Sequence, residues 1–177
     1  MSDLIQCSMN HRLYSDSAEG IWDDGEWISW DWINEHLEER ELMEQYPGAS
    51  LEVIQAFEAL VDAAIQYHDA TGRHLEIWGE LGEVYAEVKY GLKRNRQHAP
   101  GSDGRIGNDH CEVKTISPRK SDSVVQVKRA GNFNKLIIVR IDGDYNFSSC
   151  VIDRKALGKG TGKYARAKWV PDSTPGA

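Results

Sequence analysis

The hydrophobic period of this chain changes near residue 95, and that change limits its fold more than any other feature. From Ser50 onward, Leu51, Ile54, Phe57, Val61, Ile65 and His68 recur at helical spacing until Thr71-Gly72. A second row, Trp78, Leu81, Tyr85, Val88 and Leu92, predicts another helix over about residues 74–94. Beyond the polar segment 93–101 the apolar runs become short and strand-like. Residues 102–106 and 110–116 read as a hairpin about the turn Gly107-Asn108-Asp109, and residues 136–139 and 147–152 as a strand pair across Asp142-Gly143-Asp144. Residues 124–127 read as a further strand, with a helix starting at Ser121 as the alternative, and the tail from Gly158 reads as loop. Helices followed by strands in one chain predict an α/β domain with a small, mixed central sheet flanked by helices. Gly79 and Gly82 fall inside the second helix, where each costs about 1 kcal/mol relative to alanine. Close packing against a neighbour is expected there.

The first part of the chain is different. Residues 1–28 show no clear period, and Trp22, Trp27, Trp30 and Trp32 are interleaved with acids. A helix is expected from Ser29, as N-cap, to about Tyr46, where Pro47-Gly48 stops it. This organisation gives an N-terminal acidic helical extension over residues 1–50 and an α/β domain over 51–177. Residues 1–50 hold 12 Asp and Glu against Arg12 and Arg40, a balance of −10, whereas the remainder holds 16 acids and 19 bases, a balance of +3. Residues 89–135 alone carry 11 Lys and Arg against four acids. An acidic front and a basic back suggest a polyanion as partner for the back, most simply nucleic acid. The extension would cover that basic surface, form a homodimer interface, recruit a protein partner, or serve as an acidic layer on the core. Its tryptophans read as packing residues, since base-stacking platforms sit in positive grooves.

Cys7, Cys111 and Cys150 are widely spaced and odd in number, which argues for a reducing compartment and against a disulfide framework. No apolar run reaches membrane-spanning length, and the first residues lack the parts of a signal peptide. A cytoplasmic protein without a membrane partner is expected.

The residues with the most chemistry lie on the hairpin. Glu112 and Lys114 are two apart on one strand and therefore project from the same face. Asp103 lies across the turn, between glycines 101 and 104. Two carboxylates and an amine on one sheet face can hold a divalent cation and activate water against a phosphodiester. Asp109 is nearer to Glu112 but belongs to ordinary turn chemistry, so Asp103 is preferred. A surface ion pair between Glu112 and Lys114, worth at most about 1 kcal/mol, is the bland alternative.

The spacing Asp103-x8-Glu112-Val113-Lys114 resembles the core motif of the PD-(D/E)XK, or restriction-endonuclease-like, nuclease superfamily, and the likeness extends over about residues 74–157. Gly82-Glu83-x-x-Ala86 is similar to a G-E-x-x-A pattern on the helix before the motif strands in several of its branches, which makes Glu83 the expected upstream acid and Glu80 the second choice. The resemblance implies Mg²⁺, with Mn²⁺ as substitute, bound by Asp103, Glu112 and the carbonyl of Val113, and Lys114 positioning the attacking water. It implies a DNA endonuclease of a defence, mobile-element or repair setting; a non-catalytic DNA-binding or regulatory protein on the same fold is the alternative, and RNA the alternative substrate. It also makes Gln126 a residue near the site.

Other candidates are weaker in pattern. His110 shares the strand face of Glu112 and Lys114 and is expected at the site edge. Lys128, Arg129 and Lys135 are expected phosphate contacts. Lys159 and Lys163, in the Gly-rich segment 158–163, suggest a basic loop against nucleic-acid backbone, because the phosphate-loop pattern fails there: Tyr164 stands where Ser or Thr is required.

Overall fold

A computed structural model describes residues 4–96, 101–158 and 161–170. The chain divides into two compact units, Met1–Gln45 and Tyr46–Ala177.

The first unit adds strands, in the segment without a clear period, to the helix expected after Ser29. It contains β1 (Ile5–Gln6), β2 (Leu13–Tyr14), β3 (Gly20–Asp23), β4 (Glu26–Ser29) and α1 (Trp30–Gln45). β1 pairs antiparallel with β2, and β3 with β4. The second hairpin turns on Asp24 and Gly25, both with positive φ, 47° and 86°. Such Asp-Gly turns match the twist of the flanking strands, and the Trp22 and Trp27 that they bring opposite each other are cross-strand partners. Aromatic pairs of this kind stabilise hairpins. The sequence carried this signal in Asp24-Gly25 without an alternating pattern around it. Ser29 caps α1 as expected, its hydroxyl accepting from the Trp32 N–H at 3.3 Å.

The second unit holds α2 (Leu51–Thr71), α3 (Trp78–Tyr90), β5 (Lys93–Arg94), β6 (Gly104–Ile106), β7 (Asp109–Ile116), β8 (Val124–Lys128), β9 (Lys135–Ile141), β10 (Phe147–Asp153) and β11 (Tyr164–Lys168). Ser50 caps α2 through the Val53 N–H, and Gly72 ends it in the left-handed conformation. α3 is shorter at both ends than its apolar row predicts. Gly91, at φ 65°, closes it, and Lys93–Arg94 instead form an edge strand against β6. The fold is mixed α/β, with a five-stranded sheet in the order β10-β9-β7-β6-β5. β7 runs parallel to β9, and the other neighbouring pairs are antiparallel.

Both faces of this sheet are covered. Cys111 and Val113 of β7, with Ile137, Val139 and Ile141 of β9, pack against Ala64 of α2 and Trp78, Leu81 and Ala86 of α3. Ile116, Leu136, Ile138 and Cys150 pack on the other face against Val125, Val127, Ala165 and Ala167. Those last four belong to β8 and β11, which form a separate antiparallel pair. The strand reading of residues 124–127 therefore holds over the helix alternative, and the loop expected after Gly158 contains a strand. Tyr164-Ala-Arg-Ala-Lys168 alternates buried alanine with exposed polar residues. Alanine is a poor strand former, so propensity hides this period.

The two helix glycines differ. A Cβ on Gly82 would lie 2.0 Å from the Thr115 hydroxyl and 3.2 Å from its Cβ, whereas one on Gly79 would meet nothing within 4 Å. Gly82 is where α3 lies directly on β7; the close packing expected at Gly79 is not found. Among the described residues no helix is long and apolar enough to cross a membrane.

Candidate functional site

The register of β6 and β7 pairs Gly104 with Cys111, Arg105 with His110 and Ile106 with Asp109. The ladder stops there, although β7 continues to Ile116 along its other edge against β9. From Glu112 onward, the edge of β7 that faces β6 is left to side chains. Asp103 occupies it. Its N–H donates to the Cys111 carbonyl at 2.9 Å, one residue out of the ladder's register, and its Oδ2 accepts from the Val113 N–H at 2.7 Å. A carboxylate thus stands where a backbone carbonyl would have continued the sheet.

Lys114 closes the arrangement from the other side of the same residue. Its Nζ donates to Glu112 Oε1 at 2.6 Å and to the Val113 carbonyl at 3.2 Å. The ammonium bridges two of the oxygens that the superfamily resemblance assigns to a cation. The Glu112 side chain is 18% exposed and that of Lys114 33%.

Glu83 approaches from α3. Glu80, Glu83 and Glu87 follow one another along one helix face at intervals of three and four, and line a cleft of about 410 Å³ with Arg94 and Asn95. Arg94, on β5, holds the outer two, through Nη1 to Glu80 at 2.5 Å and Nε to Glu87 at 2.7 Å. Among the described residues no donor is bonded to Glu83. Burial pushes its pKa up, the Asp103 and Glu80 carboxylates push it further, and Arg94 and Lys114 act against them. Asp103 and Lys114 therefore lie close enough to Glu83 to act on its charge. Hydrogen bonds join Asp103, Glu112, Val113 and Lys114, whereas Glu83 lines the cleft of Glu80, Glu87, Arg94 and Asn95 on the α3 side and is linked to Asp103 and Lys114 through charge alone.

A carboxyl held above its ordinary pKa destabilises the fold when ionised, and this gives a test with a defined sign. The native state binds more protons than the unfolded chain between the two pKa values, so the wild type gains stability as pH falls through that window. Glu83→Gln should be more stable than wild type at pH 7, and the difference should vanish below the unfolded carboxyl's pKa of about 4.3. Thermal melts at a series of pH values measure this. A variant less stable than wild type at pH 7 would refute the strained carboxylate.

The remaining candidates separate. Gln126 and Lys114 line one cleft of about 520 Å³, together with Arg119, Lys120 and Asp122. His110 lies in a different one, beside Lys135 and Asp153. Arg105 Nη2 donates to its Nε2 at 2.9 Å, so the ring proton sits on Nδ1, which is 3.4 Å from the Ser102 hydroxyl. Both nitrogens are thereby used. Lys135 is paired with Asp153 at 2.7 Å, and Arg129 Nη1 donates to the Gly158 carbonyl at 2.7 Å. Each of these two expected phosphate contacts thus has a partner within the protein, and each keeps further N–H donors. Lys128 and Lys163 are exposed, and Lys159 lies outside the described residues. Arg166 and Lys168 lie on β11, in a segment that the sequence pattern reads as loop, and neither stands out there as an individual candidate.

A second cluster brings Lys89 Nζ to 3.0 Å and the Tyr90 hydroxyl to 2.7 Å from the Ser149 hydroxyl. Burial pulls the Lys89 ammonium down, but the Tyr85 and Tyr90 phenols outweigh it and hold it above its ordinary value. A lysine kept charged is no base for a serine nucleophile, so this cluster ties α3 to β10.

The chemistry of the donors fits magnesium. Mg²⁺ prefers oxygen ligands, keeps several waters, and is commonly held by one or two carboxylates together with substrate phosphate. Asp103, Glu112 and the Val113 carbonyl are oxygen donors of that kind, two of them now in contact with the Lys114 ammonium. Among the described residues no group of three or more His, Cys, Asp or Glu side chains is placed to hold a metal. Compared with models of known families and with curated proteins, the chain matches none of either.

Proposed function

We propose that this protein is a Mg²⁺-dependent phosphodiester hydrolase of restriction-endonuclease-like type, acting on nucleic acid and most simply as a DNA endonuclease. The observation that carries the reading is the double use of Val113: its N–H fixes Asp103 while its carbonyl and Glu112 share the Lys114 ammonium. The order helix, hairpin, crossover and parallel strand around β7 supports the same superfamily likeness, with a strand pair where a crossover helix would stand.

Asp103, Glu112 and the Val113 carbonyl would hold the ion. When bound, it supplies Lewis-acid polarisation of a phosphoryl oxygen and makes a neighbouring water more acidic. Lys114 Nζ, on the same strand face as Glu112, orients the attacking water and offsets the negative charge that develops on phosphorus. Glu83, with its raised pKa, accepts a proton or a water hydrogen bond at the helix side of the site. Arg94 holds its two neighbours away from that task.

Purified protein should cut DNA with Mg²⁺ or Mn²⁺, stop when a chelator is added, and bind without appreciable cutting in Ca²⁺. Parallel incubation with RNA distinguishes the substrates. Absence of metal-dependent cleavage of either polymer would overturn the reading. The Lys114 ammonium already rests on Glu112 and Val113, which favours a second reading, a non-catalytic nucleic-acid-binding protein on the same fold. Binding without cleavage in every metal is the result that reading requires.

A further inference from the structure

The β8–β11 pair has two unlike faces. Val125, Val127, Ala165 and Ala167 point into the core. The outer face presents Gln126 opposite Arg166, Lys128 opposite Tyr164, and Val124 opposite Lys168. Lys128, Arg166 and Lys168 are exposed, and the face carries no acid. Among the described residues no carboxylate pairs with any of the three. Three uncompensated cations on a two-stranded sheet repel one another, an arrangement that a polyanion would relieve.

This face is continuous with the candidate site. Val124 and Gln126 also line the cleft that contains Lys114, and directly opposed strand residues have Cβ atoms about 4.5–5.5 Å apart. Arg166 and Lys168 therefore stand one residue's width from the rim of that cleft. On the rim itself Lys120 is likewise without an ion pair among the described residues, whereas Arg119 is paired with Glu76. A rigid strand pair, packed by its alanines and valines, fixes the spacing of these charges better than a loop does.

We propose that the outer face of β8–β11 is a docking surface for a nucleic-acid phosphate backbone, with Arg166 and Lys168 as its phosphate contacts. The hydrolytic reading enters only in what lies at the end of this track, the Lys114 cleft. Tyr164, 44% exposed and opposite Lys128, offers a ring at the far end on which a base or sugar can rest.

The test uses the full chain, a labelled DNA duplex and metal-free buffer, with anisotropy titrations between about 50 and 200 mM salt. Replacing both Arg166 and Lys168 by alanine should weaken binding about 30-fold at physiological salt and lower the slope of log K against log[salt] by about 1.8, the counterion-release values for two phosphates. The charge-conserving pair Arg166→Lys with Lys168→Arg should keep the wild-type slope, and circular dichroism should show both variants folded. Wild-type affinity and slope in the alanine variant would overturn the proposal. So would an equal loss in the charge-conserving pair, or a loss of binding to poly-glutamate with DNA binding unchanged, which would mark the face as one for an acidic protein. Cleavage assays separate this from the hydrolytic reading. A wild type that binds through these residues but never cuts keeps the surface and removes the nuclease; a wild type that cuts while the alanine variant binds normally does the reverse.

Discussion

Lys114→Ala should reduce cleavage about 100- to 1000-fold, the usual loss when a positioned electrostatic group is removed from a developing oxyanion. The same substitution leaves Glu112 without its 2.6 Å partner. For a pair that still reaches solvent on the Lys114 side that costs about 1 kcal/mol, a fall of roughly 2–4 °C in melting temperature for a chain of this size. The two effects are separable by adding Ca²⁺. A cation that replaces the ammonium on Glu112 and the Val113 carbonyl binds only the folded state, so it should raise the melting temperature of the variant more than that of the wild type. Wild-type cleavage by Lys114→Ala would remove the assigned role. An equal Ca²⁺ response in the two proteins would remove the shared cation position.

Gly82→Val should be the most disruptive single substitution near the site. Even the Cβ of alanine would come within 2.0 Å of the Thr115 hydroxyl, and forced overpacking of this kind costs about 1–3 kcal/mol. A branched side chain adds two more carbons to the same gap. α3 must then lift from β7 and carry Glu83 away from Asp103, so activity should fall even in protein that remains folded. Gly82→Ala opposes this cost with a helix-propensity gain of about 1 kcal/mol. Thr115→Ala removes the hydroxyl that makes the closest contact. In that background Gly82→Ala should become neutral or stabilising, and a double-mutant cycle by chemical denaturation measures the difference. Additive effects would show that the two residues do not press on each other.

Gly82 also marks how far the sequence could be read. A helix glycine announces a close approach, but Gly79 carried the same announcement and meets nothing; only the partner strand decides between them. α2 was legible at both ends because Ser50 and Gly72 are local signals. Strand period and turn position made the neighbourhood of Asp103 and Glu112 legible, but not the bond of Asp103 to the Val113 N–H, which lies beyond the β6–β7 ladder. β11 was not, since its apolar positions are alanines whose burial depends on Val125 and Val127 across the pair. Arg129 and Lys135 illustrate the same limit for charge. Composition counts a cation, and only tertiary structure reveals the carbonyl or the carboxylate that stands beside it.

Val113 performs three tasks with three different groups: its side chain fills the core at 5% exposure, its N–H anchors Asp103, and its carbonyl receives Lys114. Only the first depends on which amino acid it is. The position is therefore a hinge pin whose material is interchangeable among apolar residues: isoleucine or leucine can be swapped in at the expense of repacking alone, while the N–H and the carbonyl belong to the two peptide groups that flank residue 113, and only proline lacks one of them, the N–H. A directed-evolution library at residue 113 should accordingly accept apolar residues of differing size, reject charged ones because the side chain is buried, and reject proline although it is apolar, because it lacks the N–H that Asp103 accepts from.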